Sequence, residues 1–379
     1  MKPFLILPVL LFLSMVCAAQ QRDIRVVGDY EELADTEPHD TEEVWARMDA
    51  PVMLSWGTTD IRYKKSDVPV VEKKSRLGLT AWRGERVYAQ AVLWTNCGLD
   101  DVRVDVGDLK RGSSVIPSSA VTTNFVRYVM TDGPNEDGSG CGYREDKTMW
   151  DSSLVADVLD IAEVRDVKAC SVQPIWVKID VPVDTRAGRY KGIVTVSGSG
   201  IEPMRLQLEV NVLDRTLPEP KDWTLHLDLW QNPYAVARYY GVPLWSREHF
   251  DLMLPIMKML ADVGQRSITA SIMHKPWNGQ TEDHFDSMIG RIRKIDGTWC
   301  YDYTVFDKWV EFMTDEVGID GIISCYTMIP WALRFDYYDQ ATNRVLFIEA
   351  KPGDEAYTEY WGVFLKDFAR HLREKGWFD

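Results

Sequence analysis

Histidine and cysteine are scarce, with six of each in 379 residues. The cysteines show no C-x-x-C spacing and the histidines no H-E-x-x-H, which excludes the common zinc frameworks. G-x-S-x-G and Walker-type glycine loops are missing too, so neither a serine-hydrolase elbow nor a nucleotide cradle is written in the chain. A basic excess is also lacking. The formal charge of −15 argues against nucleic acid, an anionic membrane surface and a sulfated glycan, because phosphate or sulfate contacts need a basic face. Beyond residue 16 no apolar run is long enough to span a bilayer, so no transmembrane segment is expected. Nothing in this inventory calls for a metal or a cofactor.

The N-terminus reads as an export signal. Lys2 supplies the charged region, Phe4–Val16 the apolar run and Cys17-Ala18-Ala19 the small-residue cleavage site, so residues 1–19 are expected to be removed. That places the protein in the periplasm, on the cell surface or outside the cell. Ser14-Met15-Val16 is a poor approach to a lipidated Cys17. About 360 residues remain, 45% of the whole chain is hydrophobic, and this is enough for two domains with cores. Of the remaining cysteines (Cys97, Cys141, Cys170, Cys300 and Cys325), at least one is a free thiol in a monomer, and Cys325 lies in an apolar run expected to be buried.

Residues 22–213 read as short strands between turns, which predicts an all-β sandwich. In Met204–Leu213, apolar Met204, Leu206, Leu208, Val210 and Val212 alternate with polar residues, giving one buried and one wet face. Pro174–Val181 and Tyr190–Val196 flank Asp184–Gly188 and read as a hairpin. Val87–Thr95 and Val121–Met130 are further strand candidates. The Pro-rich stretch 214–222 is the expected linker. From 223 to 379 strands alternate with helices: strands at Thr224–Leu229, Ser267–Ile272 and Gly321–Tyr326, a helix opened by Ser246 with Phe250, Met253, Met257 and Leu260 inward and Pro255 within it, a helix capped by Thr304, and a long last helix with Trp361, Phe364, Leu365, Phe368 and Leu372 inward. Strand–helix alternation predicts a parallel α/β sheet and a TIM-type (β/α)8 barrel. Three βα units are visible, and the region is shorter than the about 250 residues of a full barrel.

Functional groups of such a barrel gather where its strands end. Asp228, Trp230 and Asn232 follow the first expected strand, His274, Trp277 and Gln280 the second, Tyr326 and Trp331 the third. Each loop joins an indole to groups that form hydrogen bonds, the combination that the apolar face and polar edge of a sugar ring require. Singly, any of these residues could serve packing; jointly, at three successive strand ends, they point to a carbohydrate. Asn135, Asp137, Ser139, Gly140 and Asp146 fall at EF-hand-like offsets, but the first and last ligand positions are altered and no helices flank them, so calcium is not assigned. Gly138–Gly142 reads as a flexible loop.

At QPIWVKIDVPVDTRAGRYKGIVTV (Gln173–Val196), LHLDLWQNPYAVARYYGVPLWSREHF (Leu225–Phe250), ITASIMHKPWNGQ (Ile268–Gln280), DGTWCYDYTVFDKWVEFM (Asp296–Met313) and ISCYTMIPW (Ile323–Trp331) the sequence resembles glycoside hydrolase family 123. The resemblance implies a β-sandwich followed by a catalytic (β/α)8 barrel, and exo-hydrolysis of terminal β-linked N-acetylgalactosamine. It further implies a retaining mechanism assisted by the substrate's own 2-acetamido group, with an adjacent Asp-Glu pair at the end of the fourth barrel strand. No catalytic residue is therefore expected within the chain; the pair is expected C-terminal to Asp379. Asp315-Glu316 is adjacent but near a helix end, and reads as solvated surface. The competing reading is a non-catalytic secreted glycan-binding protein.

Overall fold

The computed structural model describes residues 32–35, 38–132, 152–278, 283 and 285–378. The export signal, the 135–146 stretch, Cys141 and Gln280 lie outside the described residues. In chain order the first part comprises a short helix α1 (Glu42–Trp45) and strands β1 (Val52–Trp56), β2 (Arg76–Arg83), β3 (Arg86–Thr95), β4 (Leu99–Val106), β5 (Leu109–Arg111), β6 (Ser114–Ile116), β7 (Val121–Asp132), β8 (Ser152–Leu159), β9 (Val164–Val167), β10 (Ser171–Asp180), β11 (Gly188–Ser199) and β12 (Ile201–Thr216). They form two sheets, ordered β1-β3-β10-β7-β8 and β2-β12-β11-β4-β9, the latter extended by β5 and β6.

The alternation read in β12 holds: Leu206, Leu208, Val210 and Val212 are buried, and they share one core with Ala89, Ala91 and Leu93 of β3 and Ile175, Val177 and Ile179 of β10 from the other sheet. Each such side chain, fully buried, contributes about 1.5–3 kcal/mol. The Trp56 indole of β1 crosses the core to donate to Gln207 O of β12 at 2.9 Å. One expectation is corrected. β10 and β11 are not a hairpin: β10 pairs with β3 and β7, whereas β11 pairs with β12, β4 and β5 in the opposite sheet. Period-two alternation tells which side of a strand is buried, and both strands satisfy it by facing one core from opposite sides. The true hairpin is β11–β12, turned at Gly200 with φ +77°, a left-handed value that favours glycine.

The second part comprises α2 (Pro233–Tyr240), α3 (Arg247–Asp262), β13 (Ser267–Ser271), β14 (Gly290–Arg293), β15 (Trp299–Asp302), α4 (Thr304–Glu311, continuing as a π-helical segment Phe312–Val317), β16 (Ile322–Tyr326), β17 (Arg334–Asp339), β18 (Arg344–Glu349) and α5 (Glu355–Lys375). β13 and β16 pair in parallel from Ser267↔Ile322 to Ser271↔Tyr326. β15-β14-β17-β18 form a separate mixed sheet, which the sequence reading did not anticipate. α3 starts as expected, with Ser246 Oγ accepting from His249 N, and buries Phe250, Met253 and Met257. Thr304 is not a cap but the first helical residue, and its N–H goes to Asp302 Oδ1 at 2.9 Å, a charged acceptor well suited to a helix N-terminus. In α5 the buried stripe runs through Tyr357, Tyr360, Trp361, Phe364 and Phe368, leaving Leu365 exposed at its solvent edge.

The first expected barrel strand is also corrected. Thr224–Leu229 forms no strand and makes one parallel bridge, Leu227↔Gln265. Side-chain amides replace the ladder beyond it. Gln265 Oε1 accepts from Leu229 N at 2.8 Å, and its Nε2 donates to Ser267 O at 2.7 Å. Gln231 Oε1 accepts from Thr269 N at 2.7 Å and its Nε2 donates to Ser267 O at 3.2 Å. Buried backbone groups need partners, and here two glutamines supply them.

Candidate functional site

Because the glutamine clamps hold residues 227–231 beside β13, three segment ends lie side by side, and three aromatic rings meet there. Trp230 lies 5.4 Å from Trp277 and 4.9 Å from Tyr326, and Trp277 lies 5.2 Å from Tyr326, measured between ring centroids. Trp277 is 9% exposed and forms a floor; Trp230 is 57% exposed and forms a rim. Burial and, after it, the charge of Asp228 push the Tyr326 phenol above its ordinary value.

His274 Nδ1 lies 3.0 Å from Asp286 Oδ1. A carboxylate only accepts, so Nδ1 is the donor in this contact. Asn232 uses its side-chain oxygen to cap α2, accepting from Ala235 N at 3.2 Å. Trp331 is 72% exposed and makes no ring contact with the other three among the described residues. Thus two of the three strand-end indoles come together, joined by Tyr326, while Trp331 stands apart.

The Trp277 loop is shaped by backbone that few side chains adopt. Lys275, Asn278 and Phe285 have φ of 53°, 56° and 51°, which costs about 1 kcal/mol or more each. Lys275 N donates to Phe285 O at 3.1 Å, closing the loop. The Phe285 ring meets Trp277 edge-on at 4.6 Å and is itself held by Tyr234, whose hydroxyl donates to Asp286 O at 2.5 Å. From the other side Arg291 Nη1 donates to Ile272 O at 2.6 Å, fixing the end of β13. Sequence reasoning missed Asp286, Phe285, Tyr234 and Arg291. No periodicity marks them, because each acts through a contact distant in sequence.

Asp315 is exposed, and Glu316 forms two 2.8 Å bonds with Arg247, which hold its carboxyl below the usual range. This pair is occupied on the surface, as the sequence suggested. Cys97, Cys170, Cys300 and Cys325 are free thiols, and burial pushes Cys325 up to about 12. Among the described residues no group of three His, Cys, Asp or Glu side chains could hold a metal ion, and no helix is long and apolar enough to cross a membrane. A groove of about 440 Å³ over Gly78 and Gly192 lies on the sandwich, lined by Arg76, Lys191 and Glu209 without any aromatic ring. It lacks the platform a sugar needs.

The family model described as the glycoside hydrolase 123 catalytic domain matches residues 230–379, and that of the glycoside hydrolase 123 N-terminal domain matches residues 56–198. A solved family 123 glycoside hydrolase from Clostridium perfringens, studied for glycolipid glycan hydrolysis, is 26% identical with a TM-score of 0.79, covering 87% of this chain. The chain spans 57% of the length of that structure. The PapD-like domain of human CEP192 is 11% identical over 48% of this chain and 94% of its own, with a TM-score of 0.20 that carries no argument. No curated protein matches the chain.

Proposed function

The chain belongs to glycoside hydrolase family 123, and from that membership we propose that it forms the sugar-binding side of a glycosidase site in a (β/α)8 barrel, with a β-sandwich as support. The observation that carries this reading is the meeting of the Trp230, Trp277 and Tyr326 rings. A pyranose laid on these rings buries its C–H face, while the Asp228 carboxylate accepts from its hydroxyls. The proposed ligand is terminal β-linked N-acetylgalactosamine, removed in exo fashion with retention through its own 2-acetamido group. The Asp-Glu pair that would orient the acetamide and protonate the leaving oxygen is proposed C-terminal to Asp379. Export by residues 1–19 belongs to the same proposal.

Titration with N-acetylgalactosamine, followed by calorimetry and tryptophan fluorescence, tests the binding half. Saturable binding is expected, weakened about three- to tenfold in Trp230→Ala, the worth of one exposed aromatic contact. Wild-type affinity in the variant would remove Trp230 from the site. Turnover of an aryl β-N-acetylgalactosaminide by the chain extended past Asp379, and not by the chain alone, is expected for the hydrolytic half. Binding without turnover in the extended protein would make it a glycan-binding module instead.

A further inference from the structure

The outer face of the second sandwich sheet collects cations that lie far apart along the chain. Leu206, Leu208, Val210 and Val212 of β12 point into the core, so Arg205, Gln207, Glu209 and Asn211 point away from it. The strand register then sets out four successive rows on that side. Arg205 stands in line with Thr195 and Asp105, and Gln207 with Ile193 and Arg76. Glu209 stands in line with Lys191, Lys110 and Gly78, and Asn211 with Arg189 and Thr80. Five cations therefore share these rows with two carboxylates, on a chain whose formal charge is −15. Glu209 lies 3.6 Å from Lys191 and 3.8 Å from Arg189, whose side chains stay 74% and 72% exposed. Arg76, Arg205 and Lys110 are exposed, and no carboxylate pairs with them among the described residues. The groove over Gly78 runs between the Arg76 and Lys191 side chains. A Cβ at Gly78 would meet nothing within 4 Å, so bare backbone forms an open floor there.

We infer that this face binds a linear anionic polysaccharide, one whose sugars carry carboxylates or sulfates. Outward residues of a strand are about 7 Å apart, so a polymer lying along β12 meets a cation in each of the four rows over about 20 Å. The net charge of the chain points the other way, but salt screens charges beyond about 10 Å, and the local face decides a contact. Charge alone would equally admit an anionic bilayer or an acidic peptide. A flat headgroup surface does not reach the floor of a groove, and Ile193 is the one large apolar side chain exposed in these rows, too little to insert. Neutral Gln207, Asn211 and Thr80 stand among the cations. A polysaccharide, whose hydroxyls alternate with its charged groups, uses both kinds of partner. No aromatic ring lines the groove, so the polymer is held by ion contacts and hydrogen bonds without stacking.

Heparin oligosaccharides, which hold no N-acetylgalactosamine, serve as the probe, and calorimetry on the whole chain measures their affinity at about 50 and 200 mM salt. Binding is expected at the lower salt and about tenfold weaker at the higher, as for a ligand held by a few ion contacts. The double variant Arg76→Ser, Lys191→Ser is expected to bind about two- to fivefold more weakly per cation removed, with a flatter salt dependence. Gly78→Gln fills the floor without changing the charge and is expected to weaken binding while keeping the salt dependence. Lys308→Ser removes an exposed cation from α4 and is expected to change nothing. Circular dichroism checks the fold of each variant. No heparin binding by the wild type at the lower salt, full affinity in the double variant or in Gly78→Gln, or an equal loss in Lys308→Ser would each overturn the site. Tighter binding of polyglutamate or of phosphatidylserine vesicles, lost in the double variant, would overturn the polysaccharide and make the face one for an acidic peptide or a membrane.

Discussion

Arg291 shows how a single residue can serve a site it never touches. It is 4% exposed, and no carboxylate pairs with it among the described residues. Its guanidinium instead lies 4.2 Å from the Phe364 ring centroid and 4.9 Å from those of Tyr360 and Trp361, with Nε and Nη2 unpartnered. Desolvating a lone cation is costly, and cation–π attraction of about 2 kcal/mol or more at a desolvated site offsets only part of that cost. Arg291→Met keeps the volume but removes both the unpaired charge and the bond to Ile272 O, two effects of opposite sign, so the loss is expected to stay below about 2 kcal/mol. Arg291→Ala leaves a cavity among three rings and is expected to lose about 2–4 kcal/mol. Urea unfolding of both variants measures the difference, and equal large losses would mean that the charge itself is needed. Trp230 and Trp277 were legible in the sequence because indoles after strands are conspicuous. Arg291 was not, since an arginine in a short strand reads as surface.

At the scale of elements, the region before α2 illustrates why strand prediction failed. Thr224–Leu229 has the composition of a strand, yet its neighbour along β13 receives it mainly through the amides of Gln265 and Gln231. Glutamine scores as polar surface in any pattern, so its use as a backbone substitute is invisible before folding. Gln265→Ala should leave Leu229 N without its acceptor and Ser267 O without this donor. The expected loss is about 1–3 kcal/mol, together with faster hydrogen exchange at Leu229; unchanged exchange there would show that the clamp does not hold the segment. The inserted sheet of β14, β15, β17 and β18 was missed for a related reason. Its strands are four to six residues long, and their turns lie inside a stretch already assigned to a βα connection.

Over the whole molecule, an ion-pair network joins parts of the sandwich far apart in sequence. Glu32 pairs with Lys65 and Arg165, and Asp160 with Arg127 and Arg165. Burial pushes both carboxyls up, and the opposing bonds outweigh it: those from Lys65, Arg165 and Tyr128 N for Glu32, and from Arg127, Ala162 N and Arg165 for Asp160. Both end below their ordinary values. Carboxyls lowered in the folded state contribute stability that is fully present above the unfolded values of about 4 and is lost as pH falls through the folded ones. Asp160→Asn should therefore cost about 3 kcal/mol at neutral pH, and the gap to wild type should narrow as the pH is taken below 4. A gap that stays constant in denaturant titrations across that range would mean that packing, not ionisation, sets the cost.

The sequence by itself determined which faces of the sandwich strands are buried, where α3 begins, and which aromatic residues stand at the ends of β13 and β16. Those features follow from local periodicity, capping and chain order, which act within a few residues. Only the tertiary structure decided that β10 and β11 belong to opposite sheets, that Trp230 and Trp277 meet while Trp331 does not, and that Asp286, Phe285 and Arg291 hold the site in shape. These outcomes depend on contacts between residues distant in sequence, whose partners are chosen by the packing of the whole core rather than by any pattern along one segment.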